Sequence, residues 1–334
     1  MNLFDWITAE LDPKPVTTEQ LIYEHMESQS GHSLPIIYEP FNPANRAHWR
    51  DRAAALDFVA STRCGGGRVL DFGPGDGWPS LIIAPWVREV VGIEGAQKRV
   101  AVCRANAERL DITNVTFRFV EPGDPLPFDD NSFDAVVAAS SVEQSPDPQV
   151  TLAEFYRVLR PGGRVRLRYE SLNRYEGGGE QEVGLSGDAE DTTRLILYDR
   201  HINEEYAVQV GITYALPAAE VLQAFSVEEE ALTMEDVTIA GLESLRAAVL
   251  DVGISTTVHA SGRTLTRWLA EIGFRQVLPS HDGISFVSSL FDHIPDDDRP
   301  DTLQAIDAYL APIIIAVVDL PAPLEIDPTI TAVK

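Results

Sequence analysis

The stretch RVLDFGPGDGWPS, Arg68 to Ser80, decides the fold. Its first five residues have the apolar character of a strand. A loop with Gly73, Gly75 and Gly77 follows, and then a helix start. Strand, glycine loop and helix in this order make a nucleotide-type cradle, because glycines let backbone N–H groups approach a ligand closely. The loop does not follow the dinucleotide pattern G-x-G-x-x-G. Its third glycine comes one residue early, and Trp78 takes the place where close helix packing needs a glycine. No lysine follows, so the phosphate-loop pattern is absent as well. Asp71 and Asp76 would repel a diphosphate, and both would attract an ammonium group.

The residues around the loop alternate between strand and helix. EVVGIE, VTFRFVE, FDAVVAAS and GRVRLRYES read as strands, and AQKRVAVCRANAERL and PQVTLAEFYRVL read as helices. Val100, Cys103 and Ala107 share one face of the first helix. Such alternation predicts right-handed crossovers and a parallel sheet covered on both faces. Residues 1–66 read as a polar, helical N-terminal cap. TTEQ carries a capping signal, and Trp49, Ala53 and Leu56 stand at helical spacing. Residues 67–170 are the expected core, and residues 171–260 break its pattern. A glycine-rich acidic loop over 173–191 precedes two strands and two helices there, the second helix at LESLRAAVLD. Residues 261–334 resume with a helix at RTLTRWLAEIG and a strand at FRQVLP. The apolar run Ile313 to Val318 is expected as a last strand, before an irregular proline-rich tail.

Composition narrows the function. The chain has 334 residues and a net charge of −26, a surface that repels phosphate backbones. Nucleic acid is therefore not an expected partner. No apolar run is long enough to span a bilayer, the first residues lack a secretory pattern, and Cys64 and Cys103 form no CxxC pair. A cytoplasmic protein without a membrane partner is expected. The seven histidines show no metal-ligand spacing, so no metal is expected.

Glu94 ends the strand after the loop, about 20 residues beyond the first glycine, where a carboxylate can accept both hydroxyls of a ribose. Glycines for close approach, acids for an ammonium and an acid for a ribose together suit S-adenosylmethionine. At this point the chain resembles the class I S-adenosylmethionine-dependent methyltransferases. VLDFGPGDG is similar to that family's V-L-D-x-G-x-G-x-G, LPFDDNSFDAVV to its L-P-F-x-x-x-x-F-D-x-V, and TLAEFYRVLRPGGRVRL to its L-x-E-x-x-R-V-L-x-P-G-G-R-L.

The resemblance implies an α/β, Rossmann-like fold. Its seven-stranded, mostly parallel sheet has helices on both faces, an N-terminal helical cap and an inserted α+β subdomain after the fifth strand. It implies S-adenosylmethionine as cofactor and S-adenosylhomocysteine as product. By matching position, Asp71, Gly73 and Gly75 would face the amino-acid end, with Asp76, Gly77 and Trp78 beside them. Glu94 would hold the ribose, with Gly95 next to it. Pro122 stands where the family often has an adenine-binding aspartate, and Asp124 or the backbone near Gly123 takes that place. Ser140, after the fourth strand, would lie under the cofactor.

Methyl transfer is an in-line displacement at an already activated methyl, so positioning and one general base suffice. Glu143 after the fourth strand, and Tyr169 and Glu170 at the end of the fifth, are candidate bases. His25 and Tyr23 of the N-terminal segment are further candidates. The segment ASSVEQSP lacks the N/D-P-P-Y/F motif of enzymes that methylate base amines. A small-molecule acceptor is expected, with the insertion roofing its pocket or forming a homodimer contact. A protein methyltransferase and a non-enzymatic cofactor-binding protein would keep the same fold.

Overall fold

The computed structural model describes residues 2–23, 40–170, 181–189, 191–227, 232–324 and 328–334. The chain divides into two compact units. One comprises Gln29–Glu143, Asp147–Ser171 and Ala260–Lys334, and the other Met1–Ser28, Gln144–Pro146 and Leu172–His259.

The first unit is built on seven strands: β1 (Arg68–Phe72), β2 (Glu89–Glu94), β3 (Val115–Phe119), β4 (Phe133–Ala139), β5 (Leu159–Arg168), β6 (Arg275–Pro279) and β7 (Thr329–Val333). Their order across the sheet is β3-β2-β1-β4-β5-β7-β6. Only β7 runs against its neighbours. The strand order reverses at β1 and β4, and such switch points leave a crevice outside the carboxyl ends of the strands. The central strands are buried on both faces, which is why they read as unbroken apolar runs.

Each face of the sheet has its own core. Val69, Val90, Ala135 and Val137 pack with α1 (Arg46–Thr62), α2 (Gln97–Arg109), α5 (Gly283–Phe291) and α6 (Leu303–Val318). Leu70, Val91, Val136 and Val165 pack with α3 (Pro148–Val158) and α4 (Gly262–Ile272). One buried ion pair ties the first face together. Arg166 of β5 donates to both carboxylate oxygens of Asp57 on α1, each at 2.9 Å. It also donates to Ser280 and Thr331, and Asp57 accepts from the N–H of Gly283 at the start of α5 at 2.8 Å. Every charge in this network is satisfied, which is the condition under which a buried pair does not destabilise.

The second unit holds a five-stranded sheet. Its order is Lys14–Pro15, Val249–Val258, Tyr206–Tyr214, Thr192–His201 and Gln181–Ala189, antiparallel except for the first pair. Helices Leu3–Leu11, Ala218–Ala224 and Ile239–Leu245 complete its core. There Trp6 and Ile7 are buried with Leu195, Val210, Ile212, Val221 and Leu242.

Several expectations change. Residues 1–66 do not form one cap. The helix Leu3–Leu11 buries its apolar face in the second unit, whereas α1 buries Trp49, Ala53 and Phe58 in the first. The segment 181–189, expected as loop, is a strand at the sheet edge, where glycine and acid are tolerated because only one neighbour is paired. The helix expected at LESLRAAVLD ends at Leu245, and Val249 opens a strand. Ile313 to Val318 belongs to α6, and the last strand is β7, inside the expected irregular tail.

Candidate active site

The loop after β1 is held from three sides. From below, Cys103 Sγ of α2 donates to the carbonyl of Gly75 at 3.2 Å, and Asn106 Nδ2 donates to that of Asp76 at 2.7 Å. From β2, the carbonyl of Ile93 accepts from Gly73 N–H at 2.9 Å. From β4, Ser141 Oγ donates to the carbonyl of Phe72 at 2.6 Å. Gly73 has φ +71°, and a Cβ there would stand 2.5 Å from the Cβ of Ser141. That position requires glycine twice, for its backbone angle and for the approach of β4. Gly75 also has positive φ and lies against the guanidinium of Arg99.

Asp71 is fully buried beneath the loop. Its Oδ2 accepts from both the N–H and the hydroxyl of Ser80, at 3.0 and 2.6 Å. Its Oδ1 has no hydrogen-bond partner among the described residues. Burial pushes the carboxyl up to about 7. The two bonds from Ser80 oppose that shift, and the charge of Glu94 adds to it.

Glu94, at the end of β2, is also buried. Oε2 accepts from Gly75 N–H at 3.0 Å and Oε1 from Ala96 N–H at 3.2 Å. Burial raises its pKa too, against the charge of Arg99 and the N–H groups of Gly75, Ala96 and Gly95. A buried acid whose Oδ1 has no partner among the described residues, and a second acid at the loop edge, suit an ammonium and a ribose. In the loop between them a Cβ at Gly73 would meet Ser141 and one at Gly77 would meet Leu81, each at 2.5 Å. Asp71, Gly73, Gly75, Asp76, Gly77, Trp78, Glu94 and Gly95 thus gather at the carboxyl ends of β1 and β2. The residues present fit S-adenosylmethionine.

Gly123 and Asp124 lie in a turn directly after β3, where Asp124 N–H bonds the carbonyl of Glu121 at 3.0 Å and the Asp124 side chain is exposed. The start of that turn adjoins Glu94, whose carbonyl accepts from Val120 N–H at 3.1 Å. Ser140 is exposed, with φ +51°, and its N–H bonds the carbonyl of Arg168. The neighbour Ser141, and not Ser140, packs against Gly73.

Of the candidate bases, Glu143 and Glu170 come together: Glu143 Oε1 accepts from the N–H of Glu170 at 3.0 Å, and Glu143 is buried. Tyr169, next to Glu170 in sequence, is buried, its N–H on the carbonyl of Pro328. In the second unit, Tyr23 donates from its hydroxyl to Gln144 Oε1 at 2.6 Å. His25 lies outside the described residues.

Sequence reasoning missed Ser80, Ser141, Asn106 and Arg99. Ser80 and Asn106 carried a readable signal, a polar residue at a helix start and an amide on an otherwise apolar helix face. Ser141 and Arg99 carried none. Among the described residues no group of acids, histidines or cysteines could hold a metal ion, and no helix is long and apolar enough to cross a membrane.

Comparison with known proteins places this geometry. Residues 70–167 match the family described as "Methyltransferase domain". The chain is 35% identical to an arsenite methyltransferase of Aquipseudomonas alcaligenes over 40% of its own length and 41% of that protein. It is 37% identical to a demethylmenaquinone methyltransferase of Thermus thermophilus over 35% of its length and 51% of that protein. It is also similar to the solved structure of YcgJ from Bacillus subtilis, at 29% identity and a TM-score of 0.33, covering 35% of this chain and 50% of that one. The chain spans about half or less of the curated relatives it matches. The matched segment runs from β1 to the end of β5 and contains the glycine loop, Asp71 and Glu94. The chain carries a methyltransferase domain over residues 70–167.

Proposed function

We propose that the protein transfers the methyl group of S-adenosylmethionine to a small molecule. The observation that carries this reading is that Asp71 and Glu94 flank a glycine loop in which Gly73 and Gly77 leave no space for a Cβ. When bound, the cofactor supplies a methyl group already activated by its sulfonium. The chain's own residues then have three tasks. The loop, Asp71 and Glu94 fix the donor. The acceptor is aligned behind the methyl. A proton is removed where the accepting atom carries one.

For that last task the paired segment of Glu143 and Glu170 is the best-placed candidate. Both follow strands that end at the crevice, and the N–H of Glu170 on Glu143 Oε1 fixes the geometry of the pair. Curated relatives are named for arsenite, demethylmenaquinone and 27-O-demethylrifamycin, all small molecules, and this supports a small acceptor. The net charge of −26 disfavours nucleic acid.

Calorimetry with S-adenosylmethionine and S-adenosylhomocysteine tests the reading. Binding of both is expected, weakened on the order of 100-fold by Glu94→Ala, which deletes charge-assisted hydrogen bonds to ligand and loop. Absence of binding by either form would sink it.

A further inference from the structure

We propose that Arg168 binds the α-carboxylate of S-adenosylmethionine, an inference that rests on the reading above. The cofactor's amino-acid end is a zwitterion. Asp71, Asp76 and Glu94 offer negative charge to its ammonium and to the ribose, but each of them repels its carboxylate. A cation is needed on the same side of the sheet; Arg99, against Gly75, already has its charge engaged by Glu94.

Register places Arg168. Asp71 is level with Val137 of β4, and Val137 with Arg166 of β5, so these side chains share a face. Arg168 follows two residues later on that face, at the carboxyl edge and level with Ala139. Its guanidinium reaches back toward the loop, with Cζ 5.6 Å from the ring centre of Trp78, the residue after Gly77. Trp78 is itself fixed edge-on against Phe58, with ring centres 5.8 Å apart. The guanidinium therefore lies within cation–π distance of an indole that Phe58 holds in place.

Its polar surroundings set it apart from its neighbour. Arg166 donates to Asp57, Ser280, Thr331 and the carbonyl of His281. The guanidinium of Arg168, half-buried, makes no hydrogen bond and no ion pair among the described residues. The charges acting on it from farther off are Asp282 of the α5 cap and Asp57, attractively, and Arg166 and Arg50, repulsively. Burial holds its pKa below the usual arginine range, yet an arginine stays protonated in proteins. A desolvated guanidinium without an anion is costly, and a planar carboxylate meets its fork with two parallel hydrogen bonds. The cofactor brings that carboxylate to the crevice that Arg168 borders.

The test is calorimetry on the full chain with three ligands. S-adenosylmethionine has the carboxylate, its decarboxylated form lacks only that group, and 5′-methylthioadenosine lacks the whole amino-acid end. The wild type should bind the first about 10- to 100-fold more tightly than the second. Arg168→Leu should reduce that ratio to about twofold while leaving affinity for 5′-methylthioadenosine unchanged. Arg168→Lys should retain part of the ratio, as a point charge without the fork. An unchanged ratio in Arg168→Leu, equal weakening of all three ligands, or no discrimination by the wild type overturns the assignment while the methyltransferase reading stands. Failure of the wild type to bind any of the three overturns both.

Discussion

Cofactor affinity should rise with pH across the range in which Asp71 ionises. In the empty protein its carboxyl titrates at about 7, chiefly because burial disfavours the charged form. An ammonium placed beside it favours the carboxylate, so the binding-competent state is the ionised one. The apparent dissociation constant is then the intrinsic constant divided by the ionised fraction. That fraction is about 0.1 at one pH unit below the pKa and about 0.9 at one unit above, so affinity should improve roughly tenfold, or about 1.4 kcal/mol. Glu94, raised in the same direction, can only steepen the trend.

The empty fold responds with the opposite sign. A carboxyl raised from its ordinary value of 3.8 to about 7 contributes most to stability at acid pH, and that contribution is lost as pH climbs through this window. A bound cation restores it. Calorimetry with S-adenosylhomocysteine in two buffers of different ionisation enthalpy measures both affinity and protons released. About one proton should leave per ligand at the acid end, falling toward none above the pKa. Asp71→Asn should bind more weakly and lose most of the slope, keeping only the share of Glu94. A dissociation constant independent of pH in this window, or the same slope in Asp71→Asn, refutes the reasoning.

Two further predictions concern the frame of the site. Gly73→Ala puts a Cβ 2.5 Å from Ser141 at a backbone angle of +71°, and should cost about 2–5 kcal/mol in denaturant unfolding. Adding Ser141→Gly should recover the packing share and leave the backbone share. Asp57→Ala strands Arg166 in the core and should cost about 3–5 kcal/mol, whereas Asp57→Ala with Arg166→Met should regain most of it. Equal losses in single and double variants would show that the pair is not what holds α1, β5 and α5.

The fold's centre was legible because burial on both faces writes itself as continuous apolar strands between amphipathic helices. Its edges were not. PIIIAVVDLP has the length and branching of a buried strand, and Pro312 argues against a helix. Yet Ile306, Leu310, Ile314 and Val317 continue one buried face from the preceding turns of α6, and that face outweighs both local preferences. The true last strand, Thr329–Val333, is short and follows a proline-rich passage. It pairs with β5 and β6, partners 161 and 58 residues earlier when counted from Thr329 to Arg168 and from Val333 to Arg275. Only tertiary pairing distinguishes it from a tail. The split of residues 1–66 was hidden for a similar reason, since Trp6 and Trp49 both announce burial but neither says in which core.

The site divides along the same line. Asp71, the glycines and Glu94 lie within one strand-loop-strand passage, so local spacing alone placed them. Ser141 and Arg168 reach the loop from β4 and β5. In sequence Arg168 is one of three arginines alternating with apolar residues in GRVRLRYES, which a strand pattern explains without any ligand. What separates these arginines is register. Arg166 falls level with Asp57's carboxylate and is neutralised inside the core. Arg168, one pleat farther on, arrives at the carboxyl edge with its charge unspent among the described residues. A loop rich in acids reads as a site for a cation. The arginine across the strands makes it a site for a zwitterion, and this distinguishes an amino-acid-bearing cofactor from any other cationic nucleoside.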